Sequence, residues 1–130
     1  MNKISKISVI TFTAALVFLA GCKSNPVYNV DNTPIDVSAK HSSKQIKKAI
    51  ISAGSSLGWK MKAKKKGHIV ATLFQRRHVA IVDIHYNKKS YSITYKDSKN
   101  LQYDGKSIHK FYNKWIRNLD RRIQQHIDII

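Results

Sequence analysis

Residues 68–95 read HIVATLFQRRHVAIVDIHYNKKSYSITY, three alternating runs separated by two short polar breaks. Ile69, Ala71 and Leu73 share one side of the first run. Ala80, Val82, Ile84 and Tyr86 share a side of the second, and Tyr91, Ile93 and Tyr95 a side of the third. A period of two marks a half-buried strand. With Arg76-Arg77 as a two-residue loop, Gln75 pairs with His78; Leu73 then meets Ala80, Ala71 meets Val82 and Ile69 meets Ile84. A slip of one residue would turn all of these outward, so burial specifies the register. The break at residues 87–89 keeps the parity and sets Ile84 and Tyr86 beside Tyr91 and Ile93.

Outward from this stretch, residues 59–64 predict one more strand, with Trp59, Met61 and Ala63 alternating with Lys60, Lys62 and Lys64. Lys65-Lys66-Gly67 makes the turn, glycine taking the position of positive φ. Before it, Ser42 and Gln45 fit a capping box. Ile46, Ala49, Ile50, Ala53 and Leu57 recur at helical spacing, Gly58 is placed to stop the helix, and Gly54 permits close packing on the sheet. After the strands, residues 97–106 read as a loop that tucks Leu101 and Tyr103 against the domain. Ser107 is expected to cap a last helix, whose apolar side is Ile108, Phe111, Tyr112, Trp115, Ile116, Leu119, Ile123 and Ile127. The expected fold is α+β in the order α-β-β-β-β-α: a four-stranded antiparallel meander with two helices on one face, spanning residues 42–130.

The other end of the chain reads as an address. Lys3 and Lys6 precede an apolar run, residues 9–20, broken only by Thr11 and Thr13. This is the layout of a secretory signal, too short to span a hydrocarbon core of about 30 Å. It ends in Leu19-Ala20-Gly21-Cys22, which resembles the bacterial lipobox at all four positions. The resemblance implies cleavage after Gly21, so that residues 1–21 are a signal peptide, and acylation (palmitate or a similar chain) at Cys22. One acyl chain holds a protein weakly, two or more firmly. In the sorting rules of such lipoproteins Asp after the cysteine retains the protein in the inner membrane, so Lys23 implies the outer membrane, with the domain facing the periplasm. Cys22 is the sole cysteine, which excludes an internal disulfide. Residues 23–41 carry Pro26, Pro34 and many Asn, Ser and Asp without a sustained period. Residues 22–41 are thus expected to be the lipidated cysteine and a flexible tether, which stretched out would reach about 60–70 Å. Alternatively Pro-Val-Tyr-Asn-Val, 26–30, forms a short edge strand or packs on the domain.

The charge is one-sided: 24 Lys and Arg against 7 acids, all of them Asp, for a formal +17. Such a balance favours acidic partners, or else keeps a small protein soluble. An exported protein does not meet nucleic acid, so that partner is not expected despite the charge.

The register puts His68 opposite His85 with Asp83 two residues away, a candidate zinc or copper set or else solvated, hydrogen-bonded histidines. Val70, Phe74, Val79 and Ile81 share that face, bordered by Lys60, Lys62, Lys64 and Lys96. This is either a partner surface or a face covered by the tether or a helix. Lys110, Lys114, Arg117 and Arg121 make a basic stripe on the last helix, either solvated or a contact for anionic headgroups. Trp59 and Trp115 are core residues by their apolar-face positions, or else stacking platforms for sugars. No nucleophile, zinc-protease or phosphate-loop motif occurs, and the lack of Glu removes the usual paired carboxylates. No enzyme activity and no cofactor are expected.

Gly58-Trp59, Gly67-x-Ile69-x-Ala71-x-Leu73, Arg77-His78-x-Ala80, Tyr91-Ser92-Ile93-x-Tyr95, Asn100-Leu101 and Ile108-His109-x-x-Tyr112-Asn113-x-Trp115-Ile116-x-x-Leu119 together resemble a group of small proteobacterial outer-membrane lipoproteins. The resemblance covers most of residues 42–123, supports anchor and fold, and implies no reaction. Its polar members, Arg77, His78, Ser92, Asn100, His109 and Asn113, form either a shared polar network or a set of turn and cap hydrogen bonds. The expected function is a membrane-anchored envelope module that binds another envelope protein, or a binder of anionic lipid or polymer such as lipopolysaccharide or peptidoglycan. The third possibility is a small metal-binding protein or metal-dependent enzyme.

Overall fold

A computed structural model describes residues 24–130. Cys22 and the expected signal peptide lie outside the described residues. The elements run β1 (Ser24–Pro26), β2 (Val30–Pro34), a 3-10 turn (Val37–Ala39), α1 (Ser43–Ser56), β3 (Lys60–Lys65), β4 (His68–Gln75), β5 (His78–Tyr86), β6 (Ser90–Lys99), β7 (Ser107–His109) and α2 (Lys110–Asp128). A five-stranded sheet has the order β2-β6-β5-β4-β3, every neighbour antiparallel, and β1 pairs with β7 apart from it. Among the described residues no helix is long and apolar enough to cross a membrane.

The fold is α+β, and the meander has the expected register. Leu73 pairs with Ala80, Ala71 with Val82, Ile69 with Ile84, Ile84 with Ile93 and Tyr86 with Tyr91. All of these are buried and share one core with Ile46, Ala49, Ile50 and Ala53 of α1 and Ile116, Leu119, Ile123 and Ile127 of α2. Both helices therefore cover the same face. The predicted capping box forms at Ser42 and Gln45, and Gly58 leaves the helix at φ +87°. At Gly54 a Cβ would fall 2.2 Å from Met61 Sδ, so the missing side chain admits β3 against α1.

The tether expected over 22–41 is corrected. From Ser24 onward the segment belongs to the domain: β1 pairs with β7, β2 closes the β6 edge, and Val30 and Ile35 are buried in the core. The alternative of a short edge strand came closer. β2 has a register shift between Val30 and Thr33, and Asn32 takes φ +48°, so no alternation survives to be read. Distant side chains hold it instead. The Asn113 amide accepts from Tyr28 N–H at 2.9 Å and donates to the Pro26 carbonyl at 2.8 Å. Ser92 Oγ accepts from Asn32 N–H, and Asn29 Oδ1 from Tyr95 N–H. The sheet accordingly has five strands rather than four.

Two further boundaries move. Ser107 does not cap α2; it opens β7, and His109 is the N-cap, its ring nitrogen accepting from Phe111 N–H. Pairing with β1 draws these residues into extended backbone. Phe111 then faces solvent, 42% exposed, rather than the core. Part of the expected loop is strand as well, since β6 runs to Lys99. On β3 only Trp59 at its entry and Met61 pack; Ala63 is exposed, and the strand is a lysine-bearing sheet edge. Lysine on an edge discourages pairing with another chain.

Tyr112 is fully buried, and among the described residues its hydroxyl has no hydrogen-bond partner. Burial raises its pKa, and the nearby Tyr95 and Tyr103 phenols add to the effect. Burial and the Asp120 carboxylate, to which its hydroxyl donates, raise Tyr91 as well. A tyrosine in the unfolded chain ionises near pH 10. The folded phenols stay neutral there, so their contribution to stability is complete below pH 10 and is lost as pH climbs toward the raised folded values. Tyr112→Phe should keep stability at pH 7 within about 1 kcal/mol of the parent. It should also flatten the decline above pH 10, both followed by urea unfolding from pH 7 to 11.

Candidate functional site

Because Ile69, Ala71, Leu73, Ala80, Val82 and Ile84 point at the helices, the opposite parity of β4 and β5 points away from them. Val70 pairs with Asp83, Thr72 with Ile81 and Phe74 with Val79, while Lys62 and Lys60 of β3 flank Val70 and Thr72. The result is a strip of Val70, Phe74, Val79 and Ile81 between lysines. Val70, Val79 and Ile81 are half-buried by their neighbours; Phe74 is 57% exposed, with Lys60 Nζ 5.0 Å above its ring. On the far side Lys99 pairs with Val79 and Lys96 lies near Asp83. The segment once read as a tether does not cover this face, because it is spent on the β6 edge and on β7. Lys64, expected in the same frame, instead lines a cleft beside the start of α1, past a register shift between Ala63 and Lys65.

At one end of the strip the register brings His68, Asp83 and His85 together as predicted. His68 Nε2 lies 2.6 Å from Asp83 Oδ1, and Lys96 Nζ 3.8 Å from the same oxygen. The two imidazoles stack, centroids 4.5 Å apart and planes 7° from parallel. A metal is bound along the in-plane lone pair of an imidazole nitrogen, and lone pairs of stacked parallel rings run side by side instead of converging. Asp83 also engages one nitrogen of His68. The trio is a hydrogen-bonded stack, and among the described residues no three His, Cys, Asp or Glu side chains are grouped to hold a metal. That corrects the metal candidate.

The basic stripe is present: Lys110, Lys114, Arg117 and Arg121 are all exposed along α2. Arg117 is partly committed, its guanidinium 4.6 Å over the Tyr28 ring. The six polar residues fall in three places and do not form one network. Asn100 Nδ2 donates to the Arg77 carbonyl, the Asn100 carbonyl lies 2.7 Å from His78 Nδ1, and the His78 ring faces His109, Phe111 and Trp115. Ser92 serves Asn32 on the β2 edge, and Asn113 is buried under the N-terminal segment. Each secures a turn, a cap or a strand crossing. Sequence reasoning passed over the joint placement of Lys44, Lys47, Lys64, Lys65 and Lys66, which line the cleft at the start of α1. The signal that joins them is topological: an antiparallel α1–β3 connection returns the end of β3 to the start of α1.

Compared with models of protein families, with curated proteins and with solved structures, the chain matches none.

The assignment of faces makes neighbouring residues behave oppositely. Leu73→Ala should cost about 2–5 kcal/mol in urea unfolding through lost burial and a residual cavity. Phe74→Ser, on the open side, should stay within about 0.5 kcal/mol of the parent.

Proposed function

We propose that this chain is an outer-membrane lipoprotein, anchored through Cys22 and facing the periplasm, whose domain docks a second envelope protein on its open sheet face without catalysing a reaction. The observation that carries this reading is the bare strip of Val70, Phe74, Val79 and Ile81 framed by lysines. An apolar centre with a charged rim is the anatomy of a protein-binding patch. A rim of Lys60, Lys62, Lys96 and Lys99 matches a partner with an acidic border. The lipobox likeness of Leu19-Ala20-Gly21-Cys22 supports the anchor. Since Ser24 already lies in β1, a lipidated Cys22 would leave the domain within about 7 Å of chain from the bilayer. The partner would then be one that reaches the membrane surface.

A photo-crosslinking residue at position 74 or 81, in intact cells, should give one discrete adduct with an acidic envelope protein, abolished by Val79→Asp. The same residue at position 48, on the exposed side of α1, should give none. Equal adducts from all three positions would contradict the reading, as would a partner that is only a second copy of this chain. For the anchor, an alkyne-tagged palmitate should label the wild-type chain and not the Cys22→Ala variant.

The exposed stripe of Lys110, Lys114 and Arg121 favours a second reading, contact with anionic lipid, lipopolysaccharide or peptidoglycan. Salt separates the two, because exposed charges are screened over about 8 Å at physiological ionic strength. Polyanion binding should weaken steeply between 50 and 500 mM NaCl, while docking through an apolar centre should not.

A further inference from the structure

Five lysines converge at the end of the sheet where α1 begins. Lys44 and Lys47 on its first turns and Lys64, Lys65 and Lys66 of the β3–β4 hairpin line one cleft of about 750 Å³, together with Ala63, Tyr86, Ser42 and Ser43. No carboxylate lines it. The two contacts of a basic side chain with a carboxylate among the described residues both end on Asp83, on the other face of the sheet, so none of these five ammonium groups is neutralised there. The first turn of α1 contains no acidic residue either.

Both walls are rigid. On one side the capping box fixes the start of α1, Ser42 Oγ accepting from Gln45 N–H at 3.1 Å and Gln45 Oε1 from Ser42 N–H at 2.8 Å. On the other, Gly67 at φ +80° lies so close to β5 that a Cβ would be 2.9 Å from the Tyr86 carbonyl oxygen, and Tyr86 N–H donates to the Gly67 carbonyl at 3.0 Å. That contact pins the hairpin turn to Tyr86, which lines the cleft. The lysine backbones are therefore held in place by these hydrogen bonds, and a bound anion would lower the mutual repulsion of their charges.

We propose that this cleft is a binding site for a multiply charged, phosphate-bearing ligand. The volume is that of a small-molecule site. Lysine meets phosphate as a point charge from any direction, without the planar fork that arginine uses for carboxylates, and the cleft holds lysine alone. Several cations on two walls suit two or more phosphate groups better than one carboxylate. The site is separate from the open sheet face and stands whether or not that face docks a protein.

The test is calorimetric titration of the full chain in dodecyl maltoside micelles at 150 mM NaCl. One arm uses tripolyphosphate, a soluble source; the other uses dihexanoyl phosphatidic acid, the same group on a glycerolipid. The triple variant Lys44→Gln/Lys65→Gln/Lys66→Gln is compared with a charge-matched control, Arg76→Gln/Arg77→Gln/Lys106→Gln, at the β4–β5 turn and before β7, away from the cleft. Circular dichroism verifies that both fold. At least a tenfold loss of affinity in the cleft variant, with the control within twofold of the parent, is the expected result in one arm or both, and the responding arm identifies the source. Equal losses in the two variants would show non-specific charge attraction and overturn the proposal. So would the absence of binding to either probe.

Discussion

Asn113 spends its whole side-chain amide on one passing segment. Its oxygen accepts from Tyr28 and its nitrogen donates to Pro26, and the residue is only 3% exposed. A buried amide without partners is costly, and one that satisfies two backbone groups fixes the chain that supplies them. Here it fixes the crossing from β1 to β2. With that crossing set, Val30 and Ile35 enter the core, β2 covers the β6 edge and β1 settles on β7. Ser24 is thereby already part of the domain, and the segment from Ser24 to Ile35 does not lie over the open face of the sheet.

The meander was legible because one physical rule governs it. Period-two burial with a two-residue Arg76-Arg77 break leaves a single register that hides Ile69, Val82, Ile84 and Ile93, and that register is the one observed. Arg76 meets the left-handed conformation this turn demands, at φ 56°. The first helix was legible for a similar reason: the capping box and Gly58 are local signals. What escaped was non-local. β1 and β2 are short, β2 is bulged, and the two are secured by side chains 60 or more residues away. A strand held by Asn113 and Ser92 leaves no pattern in its own residues. The start of α2 was misplaced on the same ground, since Ser107 is a good cap in isolation but is drawn into a strand by β1.

The candidate sites divide likewise. Register predicts that His68, Asp83 and His85 meet; it does not predict ring orientation, and orientation decides between a ligand set and a stack. Periodicity names Val70, Phe74, Val79 and Ile81 as one face, yet only the path of residues 24–35 decides that the face stays open. The lysine cleft depends on which end of α1 meets which end of β3. The two surfaces answer differently to salt and to substitution: one has an apolar centre with charge at its rim, the other is lined by charge. A chain with 24 basic side chains, 7 Asp and no Glu leaves most of its lysines unpaired, and the fold gathers some of them into places where a partner or an anion can meet several at once.

The central claim is that the segment from Ser24 to Ile35 is part of the folded domain rather than a leash. Amide hydrogen exchange followed by NMR addresses it residue by residue. Val27, Tyr28 and Ile35 donate to Lys106, Asn113 and Lys89 respectively. Their amides should exchange at least about 100-fold more slowly than an unstructured chain, as groups within a cooperative unit do. Exchange of all three at the unstructured rate, while Ile69, Val82 and Ile93 remain protected, would contradict the account.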